Sequence, residues 1–296
     1  MTFVVDLGQS GSRIRTGEIS INSTRGKLAG EHPLPALRAI FEEIEKLSVN
    51  TVALSCTGFG GQVTDPQPFL ELCNKFFGAN KVAVIDDGFA GFIGALAGSK
   101  GVVLSIGGGV VSVGGKDGKF AHRDGLGSTF GDEGGGFWLG KAGITKALGI
   151  RQGRGDDQIL LDTFKNQVAA YDALDVKNAA DAATLAIASA INLFIAADAG
   201  SPTAISIRNE GTFLLAQTII ATWLGTGGTA DDDPEIAIQG GPSKNSAYVQ
   251  GIQAAVLKVL PQAKFINARG DNLDGAAWIA ENMPTDAAPL LRWASA

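Results

Sequence analysis

Between Ser105 and Gly140 the chain reads SIGGGVVSVGGKDGKFAHRDGLGSTFGDEGGGFWLG, and no other stretch narrows the possible folds as much. An apolar strand runs into a triple glycine, a hairpin follows, and a Gly-Asp-Glu-Gly step opens a helix. Glycines this dense leave few side chains for chemistry and bare many backbone N–H groups, which suits a site that cradles phosphate or sugar hydroxyls. The competing role for such a run is a succession of tight turns.

A second glycine turn stands at the N-terminus. Thr2 to Asp6 is a short β-rich run, Gly8-Gln9-Ser10-Gly11-Ser12 turns the chain, and Arg13 to Ile19 returns as a strand with Asp6 beside the turn. Residues 23–34 read as irregular or as a third strand. Helical spacing then covers Ala36 to Ser48, a buried strand Thr51 to Cys56, a helix Pro68 to Phe77, a strand Lys81 to Ile85 ending in Asp86-Asp87, and a small-residue helix Gly88 to Ala97. The order then restarts: strand Val102 to Ile106, glycine turn, strand Val110 to Gly114, and a third strand Lys119 to His122. Repetition of the same order around a glycine turn predicts an internal structural duplication. Helices follow over Phe137 to Leu148, Ile159 to Phe164, Asn178 to Ala197 and Thr203 to Leu224, then a strand Ile236 to Gln239, Gly240-Gly241 and a helix through Val256. A strand Phe265 to Asn267 and a helix from Gly275 to Glu281 close the chain.

Bulk properties exclude several function classes. At 296 residues two domains are expected, and 45% hydrophobic with 18% charged residues describes a globular chain. A net charge of −6, without clustered Lys and Arg, argues against nucleic acid as a partner. Cys56 and Cys73 form no CxxC and read as two ordinary buried thiols in a reducing cytoplasm. His32 and His122 are too few for a histidine metal site. The N-terminus lacks a signal-peptide pattern and no apolar run approaches the ~20 residues of a membrane span, so a cytoplasmic protein without a membrane partner is expected.

With DLGQS at the first turn, a strand-end Asp87, the second glycine turn and a later strand-Gly-Gly-helix, the chain resembles the actin, sugar kinase and Hsp70 superfamily. Within it, GDEGGGFWLG after a GGG turn looks like the BadF/BadG/BcrA/BcrD ATPase family and its N-acetylglucosamine kinase branch. The resemblance implies an α/β protein of two actin-like (ribonuclease H-like) domains flanking a nucleotide cleft. Residues 1–98, completed by a C-terminal helix 275–296, would form the first domain and 99–274 the second, with a hinge near 98–101. It further implies ATP and Mg²⁺ as cofactors, transfer of the γ-phosphoryl group to an amino sugar such as N-acetylglucosamine or glucosamine at its 6-hydroxyl, and a homodimer as the expected assembly. Two departures stand out. The branch carries Gly-Thr-Gly-Ser at the second turn, where this chain has Gly107-Gly108-Gly109-Val110 and loses both hydroxyls, and Leu126 replaces an aromatic after Gly125. A sensor that binds sugar or nucleotide without turnover is therefore the first alternative, and an iron–sulfur activator ATPase of a dehydratase the second.

Individual residues carry competing roles. Asp87, at the carboxyl end of a parallel strand, can accept the proton of an attacking sugar hydroxyl, while either it or Asp86 can cap the following helix. Asp6 is placed to hold Mg²⁺, against an Asx turn in the hairpin. Gly8, Gln9, Ser10 and Gly11, and Gly107, Gly108 and Gly109, offer backbone donors to phosphates. By resemblance, Asp132 is a sugar-hydroxyl ligand and Gly125 lies against the sugar; Asp132 and Glu133 could instead complement a helix N-terminus. Gly240 and Gly241 mark the adenosine pocket by resemblance, or a plain strand-to-helix turn. Arg13 and Arg15 read as surface charges, and Asp231 to Asp233 as a solvated loop.

Overall fold

A computed structural model describes residues 2–9, 11–17, 19–28, 30–45, 47–173, 179–283 and 285–296. The first sheet is laid down by β1 (Thr2–Leu7), β2 (Ser12–Thr16), β3 (Ile19–Ser23), β4 (Thr51–Cys56) and β5 (Lys81–Asp86), with helices α1 (Pro33–Phe41), α2 (Gln67–Phe77) and α3 (Asp87–Leu96) between and after them. Continuing along the chain come β6 (Gly101–Ile106), β7 (Val110–Lys116), β8 (Lys119–Asp124), α4 (Gly136–Arg151), α5 (Gln158–Thr163), α6 (Lys165–Ala173), α7 (Ala179–Asp198) and α8 (Pro202–Gly225). β9 (Glu235–Gln239), α9 (Ser246–Leu257), β10 (Lys264–Ile266), α10 (Asn272–Asn282) and β11 (Leu291–Ser295) complete it.

The strands pair in the orders β11-β5-β4-β1-β2-β3 and β10-β9-β6-β7-β8. Remove β11 and the two orders are the same, strand for strand, with the glycine hairpin β1-β2 matched by β6-β7. This agreement is the duplication that the repeated element order predicts. Contacts divide the chain into two units, one of residues 1–103, 113–122 and 266–296, the other of 104–112 and 123–265.

In the first unit β1, β4 and β5 run parallel, and β11 closes the edge antiparallel to β5. β11 is a departure from expectation, since the C-terminal segment was to be helical. Leu-Arg-Trp-Ala-Ser alternates only weakly, and its pairing with β5, from Leu291 opposite Ile85 to Ser295 opposite Lys81, is a long-range event that no local pattern announces. One face of the sheet buries Phe3, Leu37, Phe41, Phe69 and Phe77 with both cysteines. Each such fully buried side chain contributes about 1.5–3 kcal/mol relative to exposure. Against the other face α3 and α10 approach so closely that a Cβ on Gly275 would stand 1.8 Å from the Ala90 carbonyl oxygen, and one on Gly94 2.0 Å from that of Asp271. Only glycine permits this helix pair.

The second unit is built on α4 packed against α7, where a Cβ on Gly140 would meet the Ala186 carbonyl oxygen at 1.7 Å. Trp223 and Tyr248 are its largest fully buried side chains, and the Tyr248 hydroxyl donates to the Gly134 carbonyl at 2.9 Å. α7 corrects the expectation that no segment approaches a membrane span: it is 20 residues long, with a mean hydropathy of 1.7 over its most apolar window. Leu193, Phe194 and Ala197 on one side of it enter the core. What its other apolar side does is a matter of the site.

Candidate active site

The first glycine turn is fixed by its own backbone. Gly8 N–H donates to Gly11 O at 2.9 Å, and Lys27 N–H donates to Gly8 O at 2.9 Å. Gln9 is exposed beside them, and Ser10 lies outside the described residues. Strand register places Asp6 opposite Arg13 on β2 and opposite Ser55 on β4. Both neighbours take hold of its carboxylate: Arg13 Nη2 at 2.7 Å and Nε at 3.2 Å on Oδ2, and the Ser55 hydroxyl at 2.9 Å on Oδ1. Arg13 also pairs with Asp271, the N-cap of α10, and Arg15 with Asp274 at 2.8 Å. The two arginines are therefore not free surface charges. Alternation along β2 points them out of the core as expected, but the N-terminus of α10 brings two carboxylates to meet them.

No group of three His, Cys, Asp or Glu side chains among the described residues is placed to hold a metal ion. A resident metal does not suit this donor set. A magnesium ion that arrives on nucleotide phosphates needs only one or two protein carboxylates and keeps several waters.

At the carboxyl end of β5 two adjacent aspartates divide the work. Asp86 is buried and caps α3, accepting from Phe89 N–H at 3.3 Å and from Gly61 N–H at 3.0 Å. Burial raises its pKa against those donors, and His122 Nε2 stands 3.9 Å from its Oδ1. Asp87 opens the helix, accepting from Gly88 N–H at 2.9 Å. Its pKa is pushed up to about 6, first by burial and then by the charge of Asp86, with Asp6 adding to the rise while the hydroxyl of Thr57 and the Gly88 N–H oppose it. A carboxylate so placed is ionised near neutral pH yet basic enough to take a proton.

The second glycine turn is built differently. Gly107 N–H donates to Gly109 O at 2.8 Å, and the first N–H groups of α4, from Gly136 and Phe137, tie down Gly107 O and Gly108 O at 2.9 and 2.8 Å. The N–H groups of Gly108 and Gly109 have no partner among the described residues. Asp132, in the left-handed region at φ 59°, gives Oδ1 to Val110 N–H at 3.0 Å, and its carboxylate fills the space where a Cβ on Gly109 would stand. Burial raises the pKa of Asp132, the Val110 N–H lowers it, and Asp124 raises it again. Oδ2 has no hydrogen-bond partner among the described residues. Gly125, at φ 70°, donates to Val110 O at 2.8 Å, so the Asp-Gly-Leu-Gly loop is tied to the same turn. Glu133 is exposed, two residues ahead of the Gly135 cap of α4.

Beside this turn lies a cavity of about 620 Å³. Gly107, Gly108 and Gly136 form one wall, Gly241, Pro242, Lys244 and Asn245 another, and the stripe Ile187, Ile191 and Ile195 of α7 a third. These isoleucines are 44%, 63% and 53% exposed, which explains why α7 is apolar on both sides. Gly240 sits at φ 103° with its would-be Cβ 2.1 Å from the Ile106 carbonyl oxygen, whereas nothing lies within 4 Å of a Cβ on Gly241. Gly240 is thus required by strand packing, and Gly241 is open to the cavity.

Sequence reasoning missed Ser55, Thr57, Lys27 and the α7 stripe. A serine at a strand end and an isoleucine every fourth residue were visible, but each has an ordinary reading until the fold places it beside a glycine turn.

The sequence pattern of the BadF/BadG/BcrA/BcrD ATPase family matches residues 8–277. The chain belongs to that family. None of the curated proteins compared matches it significantly. Among solved structures, a Chromobacterium violaceum protein provisionally named an N-acetylglucosamine kinase is 19% identical with a TM-score of 0.63, covering 93% of this chain and 97% of its own. A Porphyromonas gingivalis protein of the same provisional name is 14% identical with a TM-score of 0.61, over 95% and 99% of the two chains. A ROK family glucokinase from Streptomyces griseus, solved with glucose and AMPPNP, is 15% identical with a TM-score of 0.57, again over 95% and 99%. At these identities the likeness is one of fold, and the fold is that of the actin-like sugar kinases.

Proposed function

We propose that this family member is an ATP-dependent kinase that transfers the γ-phosphoryl group to a hydroxyl of a small amino sugar, N-acetylglucosamine or glucosamine at the 6-position being the first candidates. The observation that carries the reading is Asp87: a carboxylate at the carboxyl end of a parallel strand, accepting from a backbone N–H, with burial raising its pKa to about 6. In this role Asp87 accepts the proton of the attacking hydroxyl as the new P–O bond forms and the bond to the ADP oxygen breaks. Asp6 would hold the magnesium of MgATP, directly or through water. Gln9, Ser10 and Gly11 of one turn, and Gly108 and Gly109 of the other, give backbone N–H groups to phosphate oxygens, while the N–H groups of Gly8 and Gly107 close their own turns. The apolar cavity takes the adenosine, with Gly240 and Gly241 admitting it, and the unused Oδ2 of Asp132 with the Gly125 backbone takes sugar hydroxyls.

Family membership also covers activators of dehydratases, which hold an iron–sulfur cluster by cysteines. Here both cysteines are fully buried in the core of the first unit, and burial raises the pKa of each thiol, which works against the thiolate that a cluster needs. Buried free thiols also suit a reducing cytoplasm. A sensor without turnover is favoured by one feature only, the missing hydroxyls at residues 108 and 110.

The test is ADP release from MgATP with N-acetylglucosamine, glucosamine, N-acetylmannosamine, glucose or no sugar. Turnover dependent on one amino sugar and abolished by Asp87→Asn supports the kinase. Ligand-induced thermal stabilisation without ADP release from any sugar supports the sensor instead.

A further inference from the structure

Among the described residues Lys27 is the one lysine or arginine that is buried. It follows β3 in an irregular segment, yet it is only 2% exposed. Its Nζ donates to a single acceptor, the Leu28 carbonyl at 3.2 Å, and no carboxylate among the described residues lies within ion-pair distance. An ammonium withdrawn from water without a counter-ion is costly, so proteins keep one where an anion comes to meet it. Gly26 and Lys27 are also locked in place. A Cβ on Gly26 would stand 2.2 Å from the Gln9 carbonyl oxygen, and the Lys27 N–H holds Gly8 O, so the lysine backbone is the support of the first glycine turn.

The side chain runs from there to the loop after β4. Its Nζ stands 2.4 Å from where a Cβ on Gly58 would be, and Gly58, at φ 92°, leaves room for it. Thr57, the residue before, donates its N–H to Leu7 O at the end of β1, and its hydroxyl opposes the rise in the Asp87 pKa. The ammonium is therefore bracketed by the turn assigned to the phosphates and the loop whose Thr57 acts on the pKa of the assigned base. Its charge is felt locally: burial and then the charges of Asp87 and Asp6 push the Cys56 thiol upward, and Lys27 opposes them.

We propose that Lys27 is a phosphate ligand, its ammonium receiving the oxygens of the phosphoryl group in transfer. The proposal rests on the phosphoryl-transfer reading but not on the identity of the sugar. With three carboxylates, Asp6, Asp86 and Asp87, close to the path of an anionic group, one buried cation supplies the compensating charge where it develops in the transition state. A lysine suits this better than an arginine, because a compact point charge fits the space left by Gly58.

The experiment compares the parent with Lys27→Met and Lys27→Gln, by calorimetric binding of MgAMPPNP and of MgADP, by kcat and KM with the accepted sugar, and by thermal melting. Expected are melting temperatures equal to the parent or higher, MgADP affinity within threefold, MgAMPPNP affinity weakened at least tenfold, and kcat lowered at least a hundredfold. Should the parent turn over no sugar, selective loss of MgAMPPNP in the variants still supports Lys27 as a phosphate ligand while the kinase reading fails. Equal effects on the two nucleotides, no effect on either, or kcat within threefold of the parent overturns the proposal. So does failure of both variants to fold, since the ammonium would then serve the structure alone.

Discussion

The two glycine turns occupy equivalent places in two sheets of the same strand order, and they have become chemically opposite. DLGQS aligns with SIGGG, so Asp6 corresponds to Ser105 and Gln9 to Gly108. Even the neighbouring contact is kept. Asp6 accepts from Ser55 at the end of β4, and Ser105 accepts from Gln239 at the end of β9, each at 2.9 Å. Around the first turn stand Asp6, Arg13, Lys27 and Asp87. Around the second stand glycine backbone, the single carboxylate of Asp132, isoleucine and a cavity. One frame thus supports two kinds of recognition: charge where a phosphoryl group would move, apolar surface where a base would rest. Fold and chemistry are set at different levels, the first by strand order and the second by a few residues at strand ends.

The largest test of this division is at the charged turn. Asp87→Asn is expected to lower kcat about 10³-fold, within the usual range for loss of a positioned base, while nucleotide affinity stays within threefold. A turnover assay with a matched binding titration measures both. Loss of nucleotide binding in this variant would break the division, because it would make the strand-end carboxylate part of the nucleotide site.

Beside the other turn, at the Gly240-Gly241 step after β9, substitution should act on folding at one glycine and not at its neighbour. Gly240→Ala forces a Cβ into the Ile106 carbonyl oxygen at a left-handed φ, a cost of about 2–5 kcal/mol. Calorimetric melting should fall by about 10 °C, whereas Gly241→Ala, with open space around it, should shift melting by no more than about 2 °C. Equal shifts in the two variants would mean that Gly240 is not pinned by the strand.

A smaller effect is expected on the cavity wall. Ile191→Arg puts a charge on an exposed stripe of α7, so stability should be nearly unchanged. The KM for ATP should rise about tenfold, which is on the order of 1.4 kcal/mol, with kcat within threefold. A fall in kcat at constant KM would show that the apolar turn takes part in the chemistry, and the contrast between the two turns would collapse.

How much of this was legible in the sequence follows the same contrast. Both hairpins, the apolar strands Thr51–Cys56 and Lys81–Asp86, and the long helices of the second unit could be read from local pattern, because turns, β-branched runs and helical spacing are local signals. β11 could not, since its partner lies about 200 residues away in sequence and its own pattern is weak. At the site, Asp6 and Asp87 were visible as strand-end carboxylates. Their partners were not: Arg13 looked like any outward residue of a hairpin until α10 supplied Asp271, and Lys27 looked like one more lysine in an irregular segment until burial removed its water. Charge pairing and desolvation are properties of the folded surroundings, which a linear pattern does not carry.

The smallest expected effect concerns stability at the charged turn, where the sign is informative. Asp87 has a folded-state pKa raised to about 6, above the ordinary carboxylate value, first by burial and second by Asp86. A group raised in this way favours the folded state fully at pH below the unfolded value, near 4, and that contribution is lost as pH rises through about 6. Asp87→Asn removes the buried charge at high pH and removes nothing at low pH, where the parent carboxyl is already neutral. The variant should therefore melt a few degrees above the parent at pH 8, and the difference should vanish by about pH 4. Asp86 sharpens the test, because loss of its charged neighbour allows its own proton to leave more easily. If Asp87→Asn instead lowered the melting temperature at pH 8, the carboxylate would be stabilising the fold through its bond to the Gly88 N–H. The first turn would then owe its charges to structure and not to a reaction.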